Sequence, residues 1–337
     1  MKISVASFVA SVITASAWAA PAAAESTFVY VTPNPIGNNA FLALGRDGIM
    51  AAAATTGAKV KVFESDGPSA IAENLYAAAN EGADIIVAIG FDTVDAVVEV
   101  APTAPDSDFL LIDACPQGDR PANLHCAVFR EHEASFLMGA MAAMLTKTNV
   151  VGAVGPIDTP FMRRFTGGFA AGAAYAKSDI KVETRWVGGQ RPFADPVRAK
   201  EQALSLHAAG ADVVYAAAAG GSFGVFEAAT EQGFKIMTVD SNLCAAAKGA
   251  MYDSALKRVD QAIKQSIEAI AAGADAHFAS YGLAEKGVGA VALLGDDELA
   301  KSGCEIAGHA DVVKSIREIA SKIVAGEVKV ADPLTAQ

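Results

Sequence analysis

Two aspartates, a glycine turn and several loop phenylalanines are the residues of this sequence whose placement suggests chemistry. Asp113 closes the apolar run Phe109-Leu110-Leu111-Ile112, and Asp240 closes Ile236-Met237-Thr238-Val239. Each stands at the end of a predicted strand, where an open α/β sheet faces its ligand. The turn around Gly220 and Gly221 lies between an apolar run ending at Tyr215 and a helix-like run from Glu227 to Gln232. Its glycines let the backbone approach a ligand closely, and the free N–H groups of the helix start point toward it. Phe223 stands on this turn. Its ring either packs into a neighbouring loop or stacks on a planar ligand.

An enzyme is the main rival from another class, and its signatures are missing. Gly220-Gly221-x-x-Gly224 is not GxGxxG, and no acidic residue stands at the offset a dinucleotide site needs. No Ser/His/Asp set or paired-carboxylate motif declares itself, and Asp113 and Asp240 lie on different βα units. The 337 residues are 52% hydrophobic and 19% charged, enough for a large core. A net charge of −12 argues against nucleic acid or an anionic membrane surface as partner, since no basic excess exists to release counterions.

The elements that must position these residues alternate. Strand-like runs at Phe28–Val31, Lys59–Phe63, Asp84–Ile89, Phe109–Ile112, Val150–Val154, Val182–Val187, Val213–Ala216, Ile236–Val239 and Gly287–Val291 are separated by helix-like ones. The helices are read at about 39–55, 69–80 (with Ser69 as N-cap), 133–145, 160–176, 196–209, 254–272 and 311–325. Alternation of this kind means parallel, doubly wound sheets. There are too many units for one sheet, and the pattern restarts near Arg130 and Leu243. We therefore expect an α/β chain of two doubly wound lobes with a hinge and a central cleft. Residues 25–130 and 244–285 would form the first lobe, and 131–243 and 286–330 the second.

The first residues speak to compartment. Lys2, an apolar run from Val5 to Trp18 and Ala22-Ala23-Ala24 before Glu25 read as a secretory signal peptide over residues 1–24. The run is shorter than the ~20 residues a membrane span needs, and no cysteine near the cleavage site offers a lipobox. An exported, periplasmic protein is expected. Its four cysteines would then meet an oxidising environment, where three pairings are open. A short loop with Pro116, Gly118 and Pro121 favours Cys115–Cys126, leaving Cys244–Cys304. A metal site competes weakly: there is no CxxC or HExxH, and the histidines are scattered.

Several motifs then coincide. Phe129-Arg130-Glu131-His132-Glu133-Ala134-Ser135-Phe136-Leu137-Met138-Gly139, the Asp158–Phe169 stretch with Arg163-Arg164-Phe165, Phe193-Ala194-Asp195-Pro196, Gly210-Ala211-Asp212, Val239-Asp240-Ser241 and Ser254–Asp260 follow one another along the chain. Together they resemble the basic membrane protein family of ABC-transporter substrate-binding proteins. The resemblance implies a type I periplasmic binding protein, monomeric and without cofactor or metal, that hands a purine nucleoside or related ligand to a membrane permease. It implies stacking by Phe41 and Phe223, base-edge recognition by Asp113, and Asp240 with Lys257 on the other lobe. Gly221 would bring the turn near the ligand, Trp186 would be core or cleft wall, and Arg163 and Arg164 would form ion pairs between helices.

One loop departs from the family pattern. Thr32-Pro33-Asn34-Pro35-Ile36-Gly37-Asn38-Asn39-Ala40-Phe41-Leu42 has Pro33, Asn38 and Leu42 where acidic or amide residues are usual. Fewer polar groups suit a ligand with fewer polar demands, most simply a free base such as adenine, with Asn38 and Asn39 reading its edge. A nucleoside held through Asp240 and Lys257 is the alternative. Other readings are a sugar or autoinducer receptor of the same fold, a sensory receptor, or an enzyme acting on nucleosides.

Overall fold

The computed structural model describes residues 26–275 and 277–335. The signal-peptide reading over residues 1–24 lies outside them. The chain opens with β1 (Thr27–Thr32), α1 (Ala40–Thr56), β2 (Lys59–Glu64), α2 (Pro68–Asn80), β3 (Ile85–Ile89), α3 (Val94–Val100), β4 (Asp108–Ile112) and β5 (Leu124–Phe129). It crosses to a second body with α4 (Glu131–Leu145), β6 (Val150–Gly155), α5 (Arg163–Ala176), β7 (Lys181–Trp186), α6 (Pro196–Ala208), β8 (Val213–Ala216), α7 (Ser222–Gln232), β9 (Lys235–Thr238) and β10 (Met251–Lys257). α8 (Val259–Ala271) and β11 (Phe278–Tyr281) return to the first body. β12 (Val288–Ala290), α9 (Asp296–Lys301) and α10 (Ala310–Val324) finish the second.

Two six-stranded sheets result, in the orders β11-β5-β4-β3-β1-β2 and β12-β10-β9-β8-β6-β7. The first five strands of each body follow the same path, 2-1-3-4-5, all parallel. Each sheet is then completed by a strand from late in the chain, β11 parallel to β5 and β12 antiparallel to β10. Central strands such as β3 (IIVAI) are buried along their whole length, as sheets covered on both faces require. This is the two-lobed α/β fold the alternation predicts.

The lobe boundary expected at residue 244 is corrected. β10 pairs with β9 and β12 and so belongs to the second lobe, and the return comes at α8, which packs on α1. The strand is hard to read because its apolar run is broken by Asp253 and Ser254. Asp253 is buried, and its carboxylate accepts N–H bonds from Ser254, Val291 and Ala292 at 2.6–2.9 Å. The expected helix from 254 accordingly starts at Val259. Ser69 is not an N-cap either: Gly67 occupies that position and Pro68 opens α2.

Three segments join the lobes, at 129–131, 257–259 and 281–288. They are laced together. Arg130 donates to Glu133 (2.7 Å) and to the Ser280 hydroxyl (3.1 Å) and pairs with Glu285. The other Glu133 oxygen accepts from Leu283 N at 2.7 Å, and Arg258 N donates to Gly287 O at 2.8 Å. Within the second lobe, α4 and α5 touch backbone to backbone. A Cβ on Gly139 would sit 1.8 Å from Phe169 O, and one on Gly172 1.9 Å from Phe136 O, so no side chain fits at either position. Both expected disulfides form, Cys115–Cys126 across its short loop and Cys244–Cys304 as the remaining pair, with Cα separations of 5.6 and 5.0 Å. Among the described residues, no helix is long and apolar enough to cross a membrane.

Candidate functional site

The carboxyl ends of the strands in both lobes face one another across a cleft. Its first-lobe wall carries Pro33, Asn34, Asn39, Phe41, Leu42, Gly90, Phe91, Asp92 and Asp113. The opposite wall carries Phe161, Met162, Phe165, Phe193, Ala217, Ala219, Val239, Asp240 and Lys257. The space between them, counting its open mouth, is about 600 Å³. Five phenylalanine rings line it, and Phe91 already reaches across the cleft, 5.1 Å from Phe161 and 6.0 Å from Phe193 between centroids.

The two aspartates occupy equivalent places. Asp113 follows β4 and Asp240 lies just past β9, the fourth strand of each repeat, and both have left-handed backbone, φ 75° and 77°. Aspartate tolerates that conformation better than most residues. The kink turns each side chain off the strand end into the cleft. Asp113 N is held by Ala127 O and Asp240 O by Lys257 N, both at 2.8 Å.

Lys257 links them. It ends β10, is 4% exposed, and its ammonium lies 2.5 Å from an Asp113 oxygen and 2.9 Å from a Glu131 oxygen. The rings of Phe41, Phe129, Phe165 and Phe161 surround it at 4.7–5.8 Å, so carbon faces replace water around the charge. Behind Glu131 stands Arg164, which donates to Glu131 (3.1 Å), to Phe129 O (2.8 Å) and to both oxygens of Asp332 (2.8 and 2.5 Å).

One ammonium cannot balance every carboxylate near it. Burial pushes Asp113 up to about 8, against the pull of Lys257 and helped by the negative Glu131. Burial also lifts Asp240 to about 6. For Glu131, burial acts in the same direction, but Lys257 and Arg164 outweigh it and hold the carboxyl below its usual value. Lys257 is itself desolvated, yet the surrounding carboxylates raise it and keep it charged. A charged Lys257 is thus shared by two unequal carboxyls, Asp113, whose protonated form burial favours, and Glu131, which the two cations hold ionised.

Among the residues expected at the site, Phe41, Asn39, Asp113, Asp240 and Lys257 line the cleft. Asn39 does so as the N-cap of α1, its Oδ1 accepting from Phe41 N and Leu42 N. Asn38 is exposed and does not line it. Phe223 lies in the first turn of α7, packed on Phe226 with centroids 5.2 Å apart, away from the cleft. α7 is pressed against α6, with Pro196 O where a Gly224 side chain would be. Trp186 ends the edge strand β7 and covers Gly155 instead of a ligand. Gly221 acts one step removed: its N–H donates to Phe193 O at 3.3 Å, so the glycine turn supports the loop that carries a cleft ring. Arg163 and Arg164 are ion-paired, Arg163 with Asp158 on the surface.

Phe91, Phe161, Phe165 and Phe193 were not singled out as site residues, although a signal existed. Phe91, Phe161 and Phe193 stand, like Phe41, in the stretch just after a strand's carboxyl end. For Phe193 the following Asp195-Pro196 helix start, with Asp195 capping Arg198 N, fixes that position.

The profile of the Bmp family, described as ABC transporter substrate-binding protein PnrA-like, matches residues 26–332. The chain is 35% identical over 167 residues to the ABC transporter nucleoside-binding protein BmpA of Lactococcus lactis subsp. cremoris, covering 50% of this chain and 46% of that protein. It is 32% identical over 205 residues to basic membrane protein A of Borreliella burgdorferi, covering 60% of each. The chain thus spans about half to three fifths of the length of these relatives. Among solved structures, an ABC transporter solute-binding protein from Aeropyrum pernix K1 is similar over 92% of this chain and 94% of its own, with 25% identity and a TM-score of 0.81.

Proposed function

Since the chain belongs to the PnrA-like family of ABC transporter substrate-binding proteins, a family of binding proteins rather than enzymes, we propose that it captures a purine outside the cytoplasm and delivers it to a membrane permease. The observation that carries this reading is the cleft itself: five aromatic rings from two lobes around Asp113 and Asp240. A purine offers two π-faces and a polar edge, and such a cleft matches both. A signal-peptide-like start and two disulfides support an extracytoplasmic, periplasmic setting. Ligand bridging the lobes favours the closed form by its greater affinity for it, and closure about the three crossings is what a permease reads.

A free base such as adenine fits better than its nucleoside. A ribose needs several polar partners, but Asn39 Oδ1 is taken by the helix cap, Lys257 is taken by Asp113 and Glu131, and Leu42, Met162 and Val239 are apolar. Asp240, Asp92 and Asn34, which also line the cleft, and the nucleoside-binding relative favour the second reading, a nucleoside with its sugar held by these polar groups. Calorimetric titration of ligand-stripped protein with adenine, guanine, hypoxanthine, adenosine, guanosine and ribose separates them. Adenine binding at least tenfold tighter than adenosine supports the base. The reverse order replaces it by the nucleoside, and binding of ribose alone refutes the purine reading.

A further inference from the structure

A chain of buried ion pairs leaves the cleft and ends at Asp332, which does not line it. It runs from Asp113 on β4 to Lys257 on β10 (2.5 Å), to Glu131 on α4 (2.9 Å), to Arg164 on α5 (3.1 Å), and to Asp332 in the segment after α10 (2.5 Å). Each link joins a different element, and the first crosses between the lobes. Four of the five members are under 9% exposed, and the Asp332 side chain is 17% exposed. Arg164 also holds Phe129 O, the last carbonyl before the first crossing. The segment carrying Asp332 is fastened in turn: Leu334 N donates to Asp332 Oδ1 at 3.0 Å, and Pro333 lies against Gly167 of α5.

Resting on the ligand cleft proposed above, we propose that Asp332 is a positioning residue of that cleft, acting through Arg164 and Glu131 to fix Lys257 and so how Asp113 is presented to ligand. A guanidinium gripped at two points by Asp332 keeps one nitrogen for Glu131. Glu131 is then divided between Arg164 and Lys257, and Lys257 between Glu131 and Asp113. Without Asp332 the freed Arg164 takes Glu131 wholly, and Lys257 shifts onto Asp113. The charged and titratable groups facing Asp113 are Lys257, Glu131 and, farther off, Asp240, Arg164, Asp332, His132 and Asp92. Burial holds Asp113 at about 8, so its titration reports the balance of that set.

The test follows the Asp113 carboxyl by ¹³C NMR in ligand-free protein, assigned as the resonance lost in Asp113→Asn, together with adenine titration at pH 7. Asp332→Asn removes a negative charge, so the midpoint should fall by about half a unit to one unit and adenine affinity should drop at least fivefold. Asp332→Glu should restore both. The double variant Arg164→Met, Asp332→Asn removes the cation on Glu131 as well, so the midpoint should rise. This opposite sign is not the result of general loosening. If Asp332→Asn alone fails to fold, the double variant decides by that rise. A midpoint that stays put, or moves the same way in both variants, overturns the relay whatever adenine does. Failure of adenine and adenosine to bind the native protein overturns the function proposed above and leaves the titration to judge the relay.

Discussion

Replacing Lys257 by methionine removes the cation that Asp113 and Glu131 share and keeps most of the side-chain volume. Both carboxyls are buried, with side chains 5% and 2% exposed, so no water replaces the ammonium. Breaking a buried ion pair on one side costs about 3–5 kcal/mol, or roughly 6–20 °C in Tm for lobes of this size. The deficit should depend on pH. Asp113 at about 8 and Asp240 at about 6 stand above the ordinary 3.8, so the folded protein keeps protons that the unfolded chain releases. Their stabilising contribution is full below about pH 4 and is lost as pH climbs through 6 and 8. Without the ammonium that loss steepens. Scanning calorimetry should show the full deficit at pH 8, falling at pH 5 toward the ~1.5 kcal/mol of one charge-assisted hydrogen bond, where Glu131 still has Arg164. An equal deficit at both pH values, or one below about 1 kcal/mol at pH 8, would refute the shared-cation reasoning.

Phe193→Ala should weaken adenine binding about tenfold or more, with Tm within a few degrees of native, because the ring lines the cleft and is only partly buried at the margin of the core. Phe223→Ala should leave calorimetric affinity within about twofold, since that ring packs on Phe226; severe loss would return it to the site. Opening the Cys244–Cys304 bridge, whose loop spans 60 residues, should cost about 4 kcal/mol, and opening Cys115–Cys126, spanning 11, about 3 kcal/mol. Denaturant midpoints of the two Cys→Ser pairs would show the order. Gly172→Ala should fail to give soluble protein or lose more than about 3 kcal/mol, because the added carbon meets Phe136 O.

The two-lobed fold was legible because parallel strands announce themselves as short apolar runs, and Phe28–Val31 or Ile85–Ile89 have no other reading. What escaped were strands with polar residues in them. β10 hides behind Asp253, whose charge is satisfied by backbone N–H groups from a distant turn. β11 is an edge strand, half-exposed, with little apolar signal. Asp113 and Asp240 were found because they end unmistakable strands. Phe223, expected on the cleft, packs on Phe226 instead, since position on a glycine turn does not say which way a side chain leaves a helix start. Glu131, Arg164 and Asp332 as a connected set were illegible: they are 33 and 168 residues apart, and only the fold brings them together.

The late edge strands have a consequence for assembly. The first lobe has its first five strands by Phe129, but β5 stays an open edge and the face of α1 that carries Gly48 stays uncovered until β11 and α8 are made. Its sheet pairing spans Cys126 to Phe278, and His277 N bonds to His125 across 152 positions. A chain emerging from its amino end therefore carries an unfinished, sticky first lobe through the synthesis of most of the second. Export before folding suits such a molecule, because a chain kept extended until its last third is available closes both lobes in one step.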